Sequence, residues 1–244
     1  MILRRLTEHV RDQNWFAVGV DFVIVVIGVF VGLQVQEWSI ERADRRAERS
    51  VLERLIVEYE QNIAVLEDDQ VKATGAVEAS QKLLSMIAPN PDPGITDELI
   101  APILIACVQN AKFVPVLGTT DSLIASGDLS LIGDPEILRM LNQWQTSAQT
   151  MIEWQEIERM HGEELILGVT HEYLAWPTIS HYAGESPRES ALTSDYQGLF
   201  SSKRFEGLLH GRWINTRVAI KRMEKLKAQT RVLIERLDTR LAQL

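Results

Sequence analysis

The sequence predicts an all-α protein in which an N-terminal transmembrane helix is followed by a long-helix antiparallel bundle. The first observation is an apolar run at 16–35 with a single charged residue, which suits a membrane span. The second is that 39–88 holds no proline and one glycine, and that 202–244 holds no proline. The third is helical spacing of apolar residues in both stretches. We therefore predict a basic arm at 1–15, a transmembrane helix at 16–35 and a helical bundle domain at 36–244.

The apolar run has the length and flanks of a membrane anchor. Residues 16–33 include no proline, and 18 helical residues approach the roughly 30 Å thickness of the hydrocarbon layer. Trp15 and Trp38 flank the run, where indole rings favour the headgroup level. A buried core helix is one alternative, but it would show a polar face. A cleaved signal peptide is the other, because arginines precede the run. No small-x-small cleavage pattern follows, which favours an anchor.

The first long helix is predicted from Ser39 to about Ala88, after the span. Asn62, Gln70 and Ser80 interrupt its apolar seam at near-heptad spacing. The predicted seam is Leu52, Leu55, Tyr59, Ile63, Leu66, Ala73, Val77, Leu84 and Ile87.

Proline and capping residues mark the next boundaries. The prolines near 89–95 stop the helix and predict a loop. Thr96 is a suitable cap for a shorter helix that ends near Ala111. Asp134 followed by Pro135 predicts the start of another helix.

That helix is expected to end near Tyr173, ahead of a second loop at 174–201 that contains glycine, proline and serine. The last helix is predicted from about Ser202 to Leu244. The two long helices are expected to bury their seams against each other, with the shorter helices at the far end. The predicted seam of the last helix is Trp213, Thr216, Ile220, Met223, Thr230, Ile234, Leu237, Leu241 and Leu244.

Several segments are similar to one known family. Residues 18–22, 33–38, 121–132 and 135–139 resemble a family of uncharacterised bacterial single-span membrane proteins, known only as a domain of unknown function. In that family an acidic residue follows a glycine early in the span, the span ends at a tryptophan, and a serine-glycine turn leads into an arginine-bearing helix. The resemblance covers nearly the whole chain and implies a scaffold without an assigned activity. In this chain Asp21 stands where glutamate is usual, and the arm is shorter.

Composition and motifs exclude several function classes. A net charge of −9 disfavours nucleic acid as a partner. The sequence contains no GxGxxG, GxxxxGK[ST], GxSxG, HExxH or paired CxxC motif. The lone Cys107 cannot form an internal disulfide. We therefore expect no catalytic residues, no cofactor and no metal, and predict that the chain is not an enzyme.

The span itself carries the first candidate site. Asp21, Gly28 and Gly32 share one helical face, and the two glycines form a GxxxG motif that lets two backbones approach closely. A carboxylate inside a span is costly and is a functional hypothesis by default. An acid tolerated near the surface is the structural alternative.

Aromatic residues around the second loop form another candidate. Tyr173, Trp176, Tyr182 and Tyr196 are predicted either to line a pocket for a ligand or partner or, as the more ordinary outcome, to pack the loop onto the bundle.

Glu158 and His161 have the ExxH spacing of a metal-binding helix. A di-iron bundle needs two such motifs and two more glutamates, and no second motif is present. We therefore expect an ordinary surface pair on an exposed helix.

The predicted function is non-enzymatic: a membrane-anchored bundle, self-associating through the span and the long helices, that acts as a scaffold or sensor for a ligand or a protein partner. The predicted location is the bacterial cytoplasmic (inner) membrane, crossed once. Arginines flank both ends of the span, so the side of the soluble domain is undetermined. One alternative is a subunit of an ion- or proton-coupled complex that uses Asp21. Another is an enzyme with a site near Glu158 and His161.

Replacing Gly28 and Gly32 with isoleucine should weaken self-association of the span, because bulky side chains separate the two backbones. A membrane reporter assay of association measures the effect. Unchanged association would remove the GxxxG interpretation.

Overall fold

A computed structural model describes the backbone of residues 15–244 and the side chains of 19–163 and 166–244. This part of the chain forms helices and no strand, which confirms the all-α prediction. The predicted arm at 1–15 lies, apart from Trp15, outside the described residues.

The helices, in chain order, are α1 (Trp15–Met86), α2 (Asp97–Val108), α3 (Gly118–Ser126), a 3-10 turn (Asp128–Leu131), α4 (Pro135–Arg159), a π-helical turn (Met160–Ile166), α5 (Leu167–Thr170), α6 (Trp176–Tyr182), α7 (Tyr196–Phe200) and α8 (Lys203–Leu241). The chain divides into two compact units, and α1 contributes to both. The first unit holds the chain up to Ser50 together with Leu244, and the second is Val51–Gln243.

Local capping determines where three of the helices begin, and two of the three caps, Thr96 and Asp134, were predicted. Thr96 Oγ1 accepts a hydrogen bond from the backbone N–H of Leu99 at the start of α2. The Asp134 carboxylate accepts one from the N–H of Glu136, with Pro135 in the first turn of α4. Ser202 caps α8 in the same way. Each cap satisfies an N–H group that has no partner within its helix.

The buried seams of α1 and α8 follow strict heptad steps of three and four residues. On α1 the buried residues at these steps are Leu52, Leu55, Tyr59, Asn62, Leu66, Asp69, Ala73, Ala76, Ser80 and Leu83, and Glu48, Val51, Glu58 and Ala79 are buried beside them. On α8 they are Phe205, Leu209, Arg212, Thr216, Ala219, Met223, Leu226, Thr230, Leu233 and Leu237.

The predicted seams are therefore wrong in phase at several positions. Asn62 is fully buried, whereas its neighbour Ile63 is only half-buried. On α8 the seam includes Arg212, and Trp213 lies half-buried beside it. The predicted phase is wrong because polar side chains occupy these inward positions. A prediction from apolar spacing places the adjacent apolar residue there instead.

The antiparallel pairing of the two long helices is confirmed within the second unit. Gln70 of α1 donates to Glu224 of α8 at 3.4 Å, and Glu67 pairs with Arg231 at 3.4 Å. Residue numbers thus fall along one helix as they rise along the other.

The helix α4 also packs along α8, rather than at the far end as expected of the shorter helices. Asp134 pairs with Arg236, and Trp144 Nε1 donates to Thr230 Oγ1 at 2.8 Å. The Trp144 ring also meets the Tyr59 ring edge-on, with centroids 4.9 Å apart. The second unit is therefore a three-helix bundle of α1, α4 and α8.

The short helices α2, α5, α6 and α7 close one end of this bundle around an apolar cluster. Its members come from α1, α2, α5 to α8 and the connections between them, and include Leu83, Ile100, Leu104, Ile166, Val169, Ile179, Phe200, Phe205 and Leu209. Both α6 and α7 fall inside the range 174–201 that the sequence analysis treats as a loop.

Buried polar side chains of the bundle hold an extended segment, residues 109–117, against α1 and α4. Asn62 accepts from the N–H of Val116 at 2.8 Å and donates to its carbonyl at 2.7 Å. Glu58 accepts from the N–H of Thr120 at 3.2 Å. Gln155 accepts from the N–H of Phe113 at 2.9 Å. Asn62 and Gln155 thus supply hydrogen bonds that a non-helical backbone requires, and Glu58 binds a free N–H in the first turn of α3.

The helix predicted to end near Tyr173 is interrupted by the π-helical turn and ends at Thr170. Gly162 lies in this turn, and a Cβ there would sit 3.1 Å from both the Val108 carbonyl and Asn110 Oδ1. The missing side chain allows the end of α2 to approach the helix closely.

Replacing Asn62 with leucine should lower the free energy of unfolding by about 2 kcal/mol, because both backbone groups of Val116 lose their partner. Gln61→Leu is the matched control: Gln61 is exposed, so its replacement should change stability by less than about 0.5 kcal/mol. Urea unfolding of both variants in detergent measures the difference. Equal effects at the two positions would contradict the proposed role of Asn62.

Candidate functional site

A groove of about 800 Å³ opens between the extended segment, the C-terminal half of α4, the π-helical turn and α6. This volume lies within the range of small-molecule and cofactor pockets. We call it the 109–115 groove. Its apolar lining consists of Ile105, Val108, Ala111, Phe113, Val114, Pro115, Ile152, Leu167 and Trp176.

Three polar atoms among the lining residues are buried without a hydrogen-bond partner in the described chain: Gln155 Nε2, Trp176 Nε1 and Asn110 Oδ1. Gln155 is only 8% exposed, and its oxygen is already used by the N–H of Phe113, so its amide nitrogen remains available. An unsatisfied buried polar atom costs about 1–3 kcal/mol. Two of the three are donors, and because all three have almost no exposed surface, a ligand with oxygen acceptors would reach them only if the lining side chains moved.

Charged side chains line the same groove. Arg159 contacts Glu156 at 2.7 Å and Glu163 at 3.1 Å, so two carboxylates share one guanidinium. Lys112 and Glu185 also line it. Three acidic and two basic groups leave a small negative excess, which favours a ligand with a positive charge.

A buried ion pair ties this region together. Arg212 is 1% exposed and contacts Glu158 Oε2 at 3.0 Å. It also donates to the carbonyls of Glu158 at 2.8 Å, Gln109 at 2.7 Å and Cys107 at 3.2 Å. Burial raises the pKa of the Glu158 carboxyl, and Arg212 and the hydroxyl of Thr216 lower it. Arg212 thus joins the end of α2 to α4 and α8.

The interpretation of Glu158 and His161 as a surface pair is wrong for Glu158. The carboxylate is 5% exposed and occupied by Arg212, whereas His161 Nδ1 lies 3.1 Å from the Ile157 carbonyl. Among the described residues no cluster of three His, Cys, Asp or Glu side chains has the arrangement of a metal site.

The four predicted aromatic residues separate into different environments. Tyr173, Trp176 and Tyr196 pack half-buried against the apolar cluster, and the Tyr196 hydroxyl donates to Asp97. Tyr182 is 43% exposed. Of the four, Trp176 lines the 109–115 groove. The remaining groove residues were missed because they come from segments far apart in the sequence.

The candidate face of the span is open. Asp21, Gly28 and Gly32 are exposed, and a Cβ added at either of these glycines would meet no atom within 4 Å.

The helix that carries this face is long and apolar enough to cross a membrane. Its most apolar window has a mean hydropathy of 2.0, and none of that window is buried. This exposure contradicts the alternative of a buried core helix. A signal sequence near the N-terminus has the same properties.

No protein-family model, curated protein or solved structure matches the chain. The family resemblance therefore remains an interpretation of the residues that carry it.

Replacing Arg212 with methionine should lower the free energy of unfolding by about 3–5 kcal/mol, because Glu158 is left buried without its counter-charge. Without Arg212 the folded-state pKa of Glu158 lies further above its unfolded value, so the loss should increase as the pH rises from about 4.5 to 7. Urea unfolding at several pH values measures both effects.

Two further variants test this assignment. Arg217→Met removes an exposed guanidinium that lies 4.6 Å from the Trp213 ring, and should cost less than about 1 kcal/mol. Adding Glu158→Met to Arg212→Met removes the unpaired charge and should restore part of the stability and abolish the pH dependence of the loss. A double variant as pH-sensitive as the single variant would contradict the pairing.

Proposed function

We propose that this protein is a single-pass, membrane-anchored helical bundle without catalytic activity, located in the bacterial cytoplasmic membrane, that acts as a scaffold or sensor. It associates with itself through the span and binds an extended peptide segment of a partner protein in the 109–115 groove. The observation that carries the proposal is the exposed apolar stretch of α1, because soluble proteins rarely expose a continuous apolar surface of this length.

Main-chain groups beside the groove support a peptide as its occupant. Residues 111–115 have no regular secondary structure, and the N–H groups of Ala111 and Val114 make no hydrogen bond within the described chain. An extended peptide binds to such a segment through its own backbone, and neighbouring pockets select its side chains. Pro115 has no N–H and would end the pairing.

Charge and the unpaired donors narrow the class of peptide. The Glu185 carboxylate has no ion-pair partner in the described chain, and the groove has a negative excess. The unpaired N–H groups of Gln155 and Trp176 are buried, so they bind peptide carbonyls only after their side chains rotate toward the groove. The favoured occupant is therefore an extended peptide with apolar side chains and at least one basic residue.

A second candidate is a subunit of an ion- or proton-coupled membrane complex. It is favoured by Asp21, an exposed carboxylate in the apolar part of α1. Asp21→Asn removes the titrating group and keeps its shape, so loss of transport in the intact complex would support this candidate. The enzyme alternative near Glu158 and His161 gains no support, since the Glu158 carboxylate is buried and its Oε2 pairs with Arg212.

Site-specific photocrosslinking in intact cells tests the main proposal. A benzophenone amino acid at Val114, which is 59% exposed and lines the groove, should crosslink to one defined segment of a partner protein in the membrane fraction. The matched control is Val71, which is 73% exposed on α1 and should not give this product. Adding Glu156→Trp to the Val114 variant places a bulky ring in the groove and should abolish the crosslinked product.

Three outcomes would overturn the proposal. The first is release of the chain from membranes by alkaline carbonate. The second is a mature N-terminus that begins after the apolar run, as expected of a cleaved signal. The third is a Val114 product that Val71 also gives or that Glu156→Trp does not affect.

A further inference from the structure

The part of α1 that follows the apolar stretch separates its charges onto two faces. Residues 37–49 contain four arginines and four acidic residues, so this segment is formally neutral. At about 100° per residue, the arginines share an arc of roughly 100° with Trp38, and the acids lie in a separate arc of roughly 60°. The first face, which we call the arginine stripe, is Trp38, Arg42, Arg45, Arg46 and Arg49; the acids are Glu37, Glu41, Asp44 and Glu48.

Contacts within the stripe leave most of its positive charge available. The Arg42 guanidinium lies 4.0 Å above the Trp38 ring, and Arg46 Nε donates to the Arg42 carbonyl at 3.1 Å. Arg45 has an exposed partner, Glu41, at 3.6 Å. In the described chain Arg42, Arg46 and Arg49 form no ion pair, and all are exposed.

The stripe also forms a concave surface. A cavity of about 670 Å³ is lined by Trp38, Arg42, Arg45 and Arg46, together with Leu244. Guanidinium groups bind phosphate oxygens through paired hydrogen bonds, so three of them around one cavity suit a phosphate ligand.

We propose that the arginine stripe binds the phosphate of an anionic phospholipid headgroup in the membrane that the apolar part of α1 crosses. The inference rests on the proposed membrane anchoring. It adds a lipid class and a binding site to that function.

Helix geometry places the stripe at the right depth. Taking Val35 as the end of the apolar run, a rise of 1.5 Å per residue places Trp38 about 5 Å, Arg42 about 10 Å and Arg49 about 21 Å beyond it. The headgroup region is roughly 5–8 Å thick on each side of the hydrocarbon. Side chains on a helix lean toward its N-terminus, which in α1 is the membrane side. Arg42 therefore reaches the phosphate level, Arg45 and Arg46 reach it when extended, and Arg49 does not.

This gradient favours a lipid over a soluble polyanion. A soluble phosphate held in the cavity would meet Arg42, Arg45 and Arg46 alike, whereas a headgroup fixed at one depth contacts Arg42 most and Arg45 and Arg46 less. The overall charge of −9 also repels soluble polyanions at long range.

The test measures binding of a fluorescent phosphatidylglycerol to the full chain in a neutral detergent, with fluorescent phosphatidylcholine as the reference lipid. We expect tighter binding of the anionic lipid. Arg42→Gln should raise its dissociation constant about fivefold, the effect of one basic residue near an anionic surface. Arg45→Gln and Arg46→Gln should have smaller effects.

Arg49→Gln is the matched control, because it removes the same charge from the same face one to two helical turns further from the apolar run. It should change the dissociation constant less than twofold. Equal effects of Arg42→Gln and Arg49→Gln would overturn the depth argument and with it the lipid. Displacement by inorganic phosphate at the affinity of the lipid would assign the site to free phosphate instead.

Failure of this inference is distinguishable from failure of the proposed function. A chain that alkaline carbonate releases from membranes has no anchor, and both proposals fail. A chain that stays in the membrane but binds the two lipids equally keeps its anchor and overturns the lipid site alone.

Discussion

An extended backbone segment that runs between helices has to find partners for its N–H and C=O groups, and much of the bundle depends on this constraint. In this bundle the partners are side chains of the helices themselves. Asn62 satisfies both backbone groups of Val116, and Gln155 holds the N–H of Phe113. Arg212 performs the same task for carbonyls at the end of α2. The connection between α2 and α3 can therefore cross the bundle only because polar residues occupy inward positions on the helices.

The same constraint explains what the sequence could and could not predict. Helix starts depend on contacts within a few residues, so Thr96 and Asp134 were identifiable as caps, and the start of α8 was placed near its cap Ser202. The phase of the seams depends on tertiary partners. Asn62 counts as an interruption until the distant segment it binds is known, and Arg212 counts as a solvent-facing charge until its three carbonyl partners are known. Apolar periodicity alone contains neither fact.

The candidate site shows the same division between local and distant information. The ExxH spacing is the same in a metal-binding motif, in an exposed pair and in a helix whose glutamate forms a buried ion pair. The residue that distinguishes these cases here is Arg212, which is 54 residues from Glu158 in the sequence. The groove is harder still to predict, because its walls come from the end of α2, the extended segment, α4 and α6. Trp176 was the one residue of the predicted aromatic set that belongs to it, and an aromatic residue in a loop more often packs than binds.

The charged and polar residues in the seams also determine how the bundle can move. Adjacent positions of a purely apolar heptad seam are nearly interchangeable, so two such helices can slip by seven residues, about 10 Å, and still bury apolar surface. A slip of α8 by one heptad would place Ala219 where Arg212 now meets Glu158, leaving a carboxylate and several carbonyls unpaired. These contacts therefore fix the axial register of α8 against α4. A rearrangement of the bundle that keeps the Arg212–Glu158 ion pair has to be a tilt or a rotation of whole helices, because axial sliding would break that pair.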